Sequence, residues 1–174
     1  MKEFVFGSGE IVGMLSKADF SLGKYDVKNV YFYEILAEDE LISDLDGFEG
    51  IVGMGIGDDS PLPSFLDYVV NQKSIPSLFS VYLSREENSK KSKIIFGGAD
   101  EDYFKGQPKY YNVNDPFYWA IDMEGIFVGD QDTGLCSKQN KCKAVIDTGT
   151  SFFASSTMNI IKIASNKLFF HHFL

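Results

Sequence analysis

The residues of this chain best suited to chemistry are Ala144-Val145-Ile146-Asp147-Thr148-Gly149-Thr150-Ser151, where an apolar strand runs straight into an acid, a glycine and three hydroxyls. A carboxylate beside Val145 and Ile146 is costly to bury unless neighbours hydrogen-bond it. Thr148, Thr150 and Ser151 are the neighbours that can do so, and Gly149 lets the chain turn tightly and backbone N–H groups approach the acid. Asp147 therefore reads as a working carboxylate, suited to general acid–base chemistry. A strand end that happens to spell Asp-Thr-Gly is the plainer alternative, and the apolar approach and the Thr-Ser continuation weigh against it.

Other candidates for chemistry are weaker. Asp132-Thr133-Gly134 has the same three letters, but Gly129-Asp130-Gln131 precede it, so no apolar strand enters the acid and a hairpin turn is expected. Asp46-Gly47 also reads as a turn. Cys136 and Cys142 flank Ser137-Lys138-Gln139-Asn140-Lys141, a poor zinc spacing without two further ligands, and His171 and His172 lack the context. No metal and no cofactor is expected. A local disulfide closing this polar loop is the better reading, with two free thiols as the alternative, and such a bond suits an oxidising compartment.

The elements that must position Asp147 read mostly as β. Residues 3–15 are expected to form a hairpin around Gly7-Ser8-Gly9, and residues 26–36 a strand with broken alternation. Ser60-Pro61-Leu62-Pro63 is expected to open a helix reaching about Gln72, with the prolines in its first turn. Strands are expected at 78–84, 93–98, 109–114, 117–124, 126–129 and 143–147, with a helical turn at 100–105. Gly97-Gly98, Gly106 and Pro108 punctuate a division near 99–108, so 1–100 and 101–174 are taken as two parts.

At 174 residues, 44% apolar and 15% aromatic, the chain is long and apolar enough for a sizeable core. Its formal charge of −9 argues against nucleic acid or an anionic membrane as partner. It would also suit an acidic compartment. No signal peptide and no apolar run near about 18 residues is evident. Arg85 is the lone arginine against fifteen lysines, which suits an A+T-biased coding sequence.

In the order in which they occur, these motifs resemble those of pepsin-like aspartic endopeptidases of the cathepsin D and plasmepsin type. Phe4 to Gly13 looks like the substrate-covering flap; Phe48-Glu49-Gly50-Ile51-Val52-Gly53-Met54-Gly55 looks like the family's Phe-Asp-Gly segment, with Glu49 where Asp is usual. Leu78 to Leu83, Ile95 to Asp100, Tyr118-Trp119-Ala120-Ile121, the two cysteines and the Asp147 octapeptide complete the series over about residues 4–157. The lysine bias tilts this toward a plasmepsin-type parasite protein. The resemblance implies a bilobal acid-protease fold of which this is a central piece. It would hold the N-terminal lobe from the flap onward and the first part of the C-terminal lobe, with a divergent tail from about 158.

The resemblance also implies roles. Asp147 would be one of two aspartates sharing a proton around a water, with Thr148 tying the active-site loops together and Thr150 donating to the carboxylate. Gly149 would give close approach, and Ser151 would continue the loop. Phe6, Gly7, Ser8, Tyr118 and Val145 would face substrate, with Phe6 replacing the usual flap tyrosine and lacking its hydroxyl; Trp119 reads rather as core. Cys136 and Cys142 would form the family's small disulfide loop. The partners implied are polypeptides cleaved between bulky apolar residues, acted on by a monomeric parent protein in a secretory or acidic vacuolar compartment. The first catalytic aspartate precedes the flap in the family, so this chain alone is expected to be inactive. The alternatives are a non-catalytic peptide- or partner-binding member, and a retroviral-type homodimer with one Asp-Thr-Gly per chain.

Overall fold

The structure, a computed structural model, describes residues 1–6, 9–39, 49–57, 62–86 and 90–168. The chain divides into two compact units: Met1–Met54 with Asp59–Gln107, and Gly55–Asp58 with Pro108–Leu174.

In the first unit, β1 (Lys2–Phe6), β2 (Gly9–Leu22) and β3 (Tyr25–Glu38) form an antiparallel sheet in that order. Phe6 pairs with Gly9, so the expected first hairpin closes there; Gly7, Ser8 and the Phe6 side chain lie outside the described residues. The strand leaving this hairpin runs to Leu22, seven residues past the expected end. It turns through Gly23-Lys24, where Gly23 adopts φ +57°, a left-handed value that suits the tight turn between Leu22 and Tyr25. The broken alternation of β3 has a cause in a register shift between Ala18 and Phe20. There Asn29 takes φ +56° and the Asp19 carboxylate accepts its N–H at 2.9 Å and the Lys28 ammonium at 3.1 Å. The Asn29 N–H, and then Lys28, hold Asp19 below the usual carboxylate range.

Helix α1 (Phe65–Lys73) starts later than the prolines suggest. Ser64 is its cap, accepting the Asp67 N–H at 3.2 Å, while the Asp67 carboxylate accepts the Ser64 N–H at 2.9 Å. This reciprocal capping box outcompetes Pro63, which stays before the cap; Ser60 and Pro61 lie outside the described residues. The helix is clasped to β3 by Gln72, whose side-chain amide accepts from the Lys28 N–H at 2.8 Å and donates to the Lys28 carbonyl at 2.7 Å. Val69 meets Val27, Val30 and Phe96 in the core, with Phe65, Ile75 and Phe79 packed around them. β4 (Phe79–Tyr82) and β5 (Lys93–Phe96) pair antiparallel, and a 3-10 turn follows at Glu101–Tyr103.

The second unit has a thinner frame. β6 (Ala120–Met123) pairs with β9 (Cys142–Val145), and β7 (Phe127–Val128) pairs with β8 (Gln131–Asp132). The expected strand at 109–114 shrinks to a single bridge between Val113 and Ile121, and the strand expected from 117 begins only at Ala120. Asp115 is the reason for the late start at Ala120: its carboxylate takes the N–H groups of Phe117 and Tyr118, which a strand would need. Helix α2 (Thr157–Leu168) forms where likeness was expected to fade. Among the described residues few are buried here, and they include Ala120, Thr133 and Cys136.

Val69 and Val27 are fully buried, whereas Val5 is 75% exposed. Val69→Ala should therefore destabilise the first unit by about 1.5–3 kcal/mol, and Val5→Ala by no more than about 0.5 kcal/mol. Hydrogen exchange of the Val30 amide in denaturant measures both; equal effects would disprove the core assignment.

Candidate active site

Asp147 stands just beyond the end of β9. The β6–β9 ladder pairs Ala120 with Val145, and the Ile146 N–H extends it by donating to the Trp119 carbonyl at 3.0 Å. The chain then leaves the ladder, so Asp147 begins a loop whose first bonds are its own. Thr150 Oγ1 donates to Asp147 Oδ2 at 2.5 Å, and the Gly149 N–H donates to Oδ1 at 2.9 Å. The Thr150 hydroxyl first, and the Gly149 N–H second, hold this carboxyl below its ordinary value of 3.8, with a small opposing contribution from burial.

One expectation needs correction here. The carboxylate is not buried: Asp147 is exposed, and Val145 and Ile146 are 51% and 58% exposed. Its hydrogen bonds therefore hold it in its ionised form at the surface and do not rescue it from an apolar interior. Gly149 brings its N–H to the acid as expected, and does so without a left-handed conformation. What it supplies is space, because a Cβ there would lie 3.2 Å from Asp147 Oδ1.

Asp132-Thr133-Gly134 is an internal comparison. Its Gly134 N–H also bonds the acid's Oδ1, at 2.8 Å, so the two triplets share one local hydrogen bond. The reversal between β7 and β8 falls earlier than expected, at Gly129-Asp130, and Asp132 sits on the returning strand. Thr133 is buried and donates to the Ile126 carbonyl at 2.8 Å, and Gly134 takes φ +63°. The residue three beyond the acid is Leu135, so no hydroxyl answers Thr150. This triplet's threonine is spent on the fold.

The other residues singled out by sequence are placed as follows. Val145 shares a crevice of about 340 Å³ with Asp147, Thr150, Phe152, Phe153 and the disulfide. Cys136 and Cys142 are bonded, with Cα atoms 5.5 Å apart. Tyr118 is 59% exposed, and Trp119, expected in the core, is 37% exposed. Thr148 and Ser151 are exposed, and among the described residues no hydrogen bond to the Thr148 hydroxyl is found. No cluster of potential metal ligands is present among the described residues, nor any helix long and apolar enough to cross a membrane. Phe152, Phe153 and Asn159 at the crevice were not anticipated; two adjacent aromatics directly after the hydroxyl run were the available signal.

A carboxyl held below its unfolded value stabilises the native state above pH 3.8, and that contribution is lost as pH falls through the lower native value. In Thr150→Val the Asp147 carboxyl should titrate closer to 3.8 and this acid-range loss should shrink. Carbon-detected NMR titration checks it; an unchanged Asp147 curve would show that the Thr150 bond does not form.

A sequence profile of the eukaryotic aspartyl protease family matches residues 2–168, eleven residues beyond the point where likeness was expected to fade. Procardosin-B of Cynara cardunculus is 32% identical over 163 residues, covering 91% of this chain and 32% of its own length. Cathepsin D of Gallus gallus is 32% identical over 160 residues, covering 89% and 39%, and renin of Rattus norvegicus is 32% identical over 159 residues, covering 89% and 38%. The chain thus spans about a third of the length of the curated relatives it matches. An aspartic proteinase from Irpex lacteus superposes with a TM-score of 0.79 at 20% identity, over 94% of this chain and 51% of that one, which gives the mostly-β pepsin-like fold. The chain belongs to the eukaryotic aspartyl protease family.

Proposed function

We propose that this chain supplies one carboxylate, Asp147, to the catalytic pair of an aspartic endopeptidase. The observation that carries this is the hydrogen-bonded, exposed Asp147 at the end of the β6–β9 ladder: an acid kept ionised by Thr150 and Gly149 yet open to a water and a substrate. Two such acids close together share a single proton because like charges cannot both ionise at short range, and pepsin is the type example. The ionised member takes a proton from the water, the water attacks the peptide carbonyl, and the second carboxyl gives its proton to the carbonyl oxygen. No covalent intermediate forms.

Thr150 and Gly149 support the ionised form, Thr148 would link this loop to the one bearing the second aspartate, and Ser151 continues the hydroxyl run. The second aspartate would come from an Asp-Thr/Ser-Gly element outside these residues. Residues 1–100 would then belong to the first lobe and 101–174 to the second. The substrates would be polypeptides lying extended beneath the Phe4–Gly13 hairpin, with main-chain bonds to Gly7 and Ser8 and bulky apolar side chains against Phe6, Tyr118 and Val145. Phenylalanine at position 6 keeps an apolar wall over the substrate but lacks the hydroxyl of the usual flap tyrosine. An acidic vacuolar or secretory compartment suits both the disulfide and a shared-proton pair.

The 174-residue chain alone should cleave nothing. A longer protein carrying an upstream Asp-Thr/Ser-Gly should cleave unfolded globin at about pH 4 to 5.5. In that protein Asp147→Asn should abolish cleavage while the circular dichroism spectrum and melting temperature stay those of the parent. Cleavage that survives the substitution would reduce Asp147 to a structural residue, and a longer protein that binds peptides without cutting them would favour a non-catalytic member.

A further inference from the structure

We infer that Asp115 is the positioning residue for the Asp147 loop, acting through the Trp119 carbonyl. This deepens the reading of Asp147 as a catalytic carboxylate and rests on it. The chain of contacts lies wholly within the second unit. Asp115 Oδ1 accepts the Phe117 N–H at 3.0 Å and the Tyr118 N–H at 3.1 Å. Pro116, directly after Asp115, has no N–H and a fixed φ, so the next two donors along the chain fall to the carboxylate. The Tyr118 carbonyl then accepts the Ala120 N–H at 2.7 Å. That tight bend around Trp119 directs the Trp119 carbonyl at β9, where it takes the Ile146 N–H at 3.0 Å. The next residue is Asp147.

The same turn is anchored on its other limb. The Asn114 N–H donates to the Ala120 carbonyl at 3.4 Å, and Lys143 on β9 donates from Nζ to the Asn114 carbonyl at 3.1 Å. Lys143 also lies close enough to favour the charged form of Asp115. The carboxylate thus holds the turn that starts β6, and Lys143 ties that same turn to β9. Loss of its oxygens releases two backbone N–H groups and frees the bend that aims Trp119. β6 and β9 would keep their four paired residues, Ala120–Met123 against Cys142–Val145. What slackens is the single further bond that fixes where Asp147 leaves the ladder.

The test uses the 174-residue chain with Asp115→Ala and Asp115→Asn, read by amide exchange and by NMR titration of carboxyls. In Asp115→Ala the Ile146 amide should lose about tenfold in protection, the worth of one to two backbone bonds, with Val30 in the other unit unchanged. The Asp147 carboxyl should also move up toward 3.8 as the Thr150 and Gly149 contacts loosen. Asp115→Asn keeps a carbonyl oxygen that can accept both N–H groups and should restore both readouts. Unchanged Ile146 protection in Asp115→Ala overturns the inference, and so does an Asn variant that behaves like the Ala one. If Asp115→Ala unfolds the second unit, the Asn variant decides by itself, because parental values for Ile146 and Asp147 support the inference and lost ones refute it. Neither readout depends on proteolysis, so failure of the proposed activity and failure of this inference are separable.

Discussion

The pairing of β6 with β9 is the constraint on which the site depends. Successive side chains on a strand point to opposite faces, so a slip of one residue would move Val145 and Asp147 to the other side together. The register is held by Ala120 opposite Val145 at one end and Met123 opposite Cys142 at the other. At the Cys142 end the disulfide ties the strand to Cys136, which is buried. At the Asp147 end the Ile146–Trp119 bond closes the ladder. A short ladder with both ends secured can present a loop as reproducibly as a long one.

The two Asp-Thr-Gly triplets show how little of a site's chemistry lies in its local turn. Both acids accept the N–H of the glycine two residues on, at nearly the same distance. They differ in what surrounds that turn. At Asp147 a second hydroxyl, from Thr150, reaches the other carboxylate oxygen, and the threonine between acid and glycine is exposed. At Asp132 the corresponding threonine is buried and bonded to Ile126, and leucine stands where the second hydroxyl would be. One loop is finished internally and the other leaves its polar groups open.

The units are stabilised by different means. In the first, valines and aromatics of β3, α1 and β5 exclude water, and the Gln72 clasp and the Ser64 capping box satisfy polar groups that packing leaves over. In the second, few of the described side chains are buried, and order comes from ladder bonds, a disulfide and carboxylates that capture backbone N–H groups at Asp115, Asp132 and Asp147. Polar capture of this kind is directional, so it can aim a loop.

The fold class and the family were legible in the sequence because ordered motifs survive as strings, and the Asp147 octapeptide announced itself by an abrupt change from apolar to hydroxyl-rich residues. Strand existence was legible too, in alternation and in turn residues. Extent was not. The reach of β2 to Leu22, the late start of α1 and the late start of β6 at Ala120 were each decided by one polar side chain or one turn competing for backbone groups, and pattern alone does not weigh such competitions. The site divides in the same way. The sequence by itself determined that an acid, a small residue and hydroxyls adjoin. Only the tertiary structure decided which hydroxyl reaches the carboxylate, that Gly149 serves by leaving space and not by its dihedral angle, and that Asp147 meets solvent. Those outcomes depend on where β6, brought alongside by a turn some thirty residues earlier, lets go of β9.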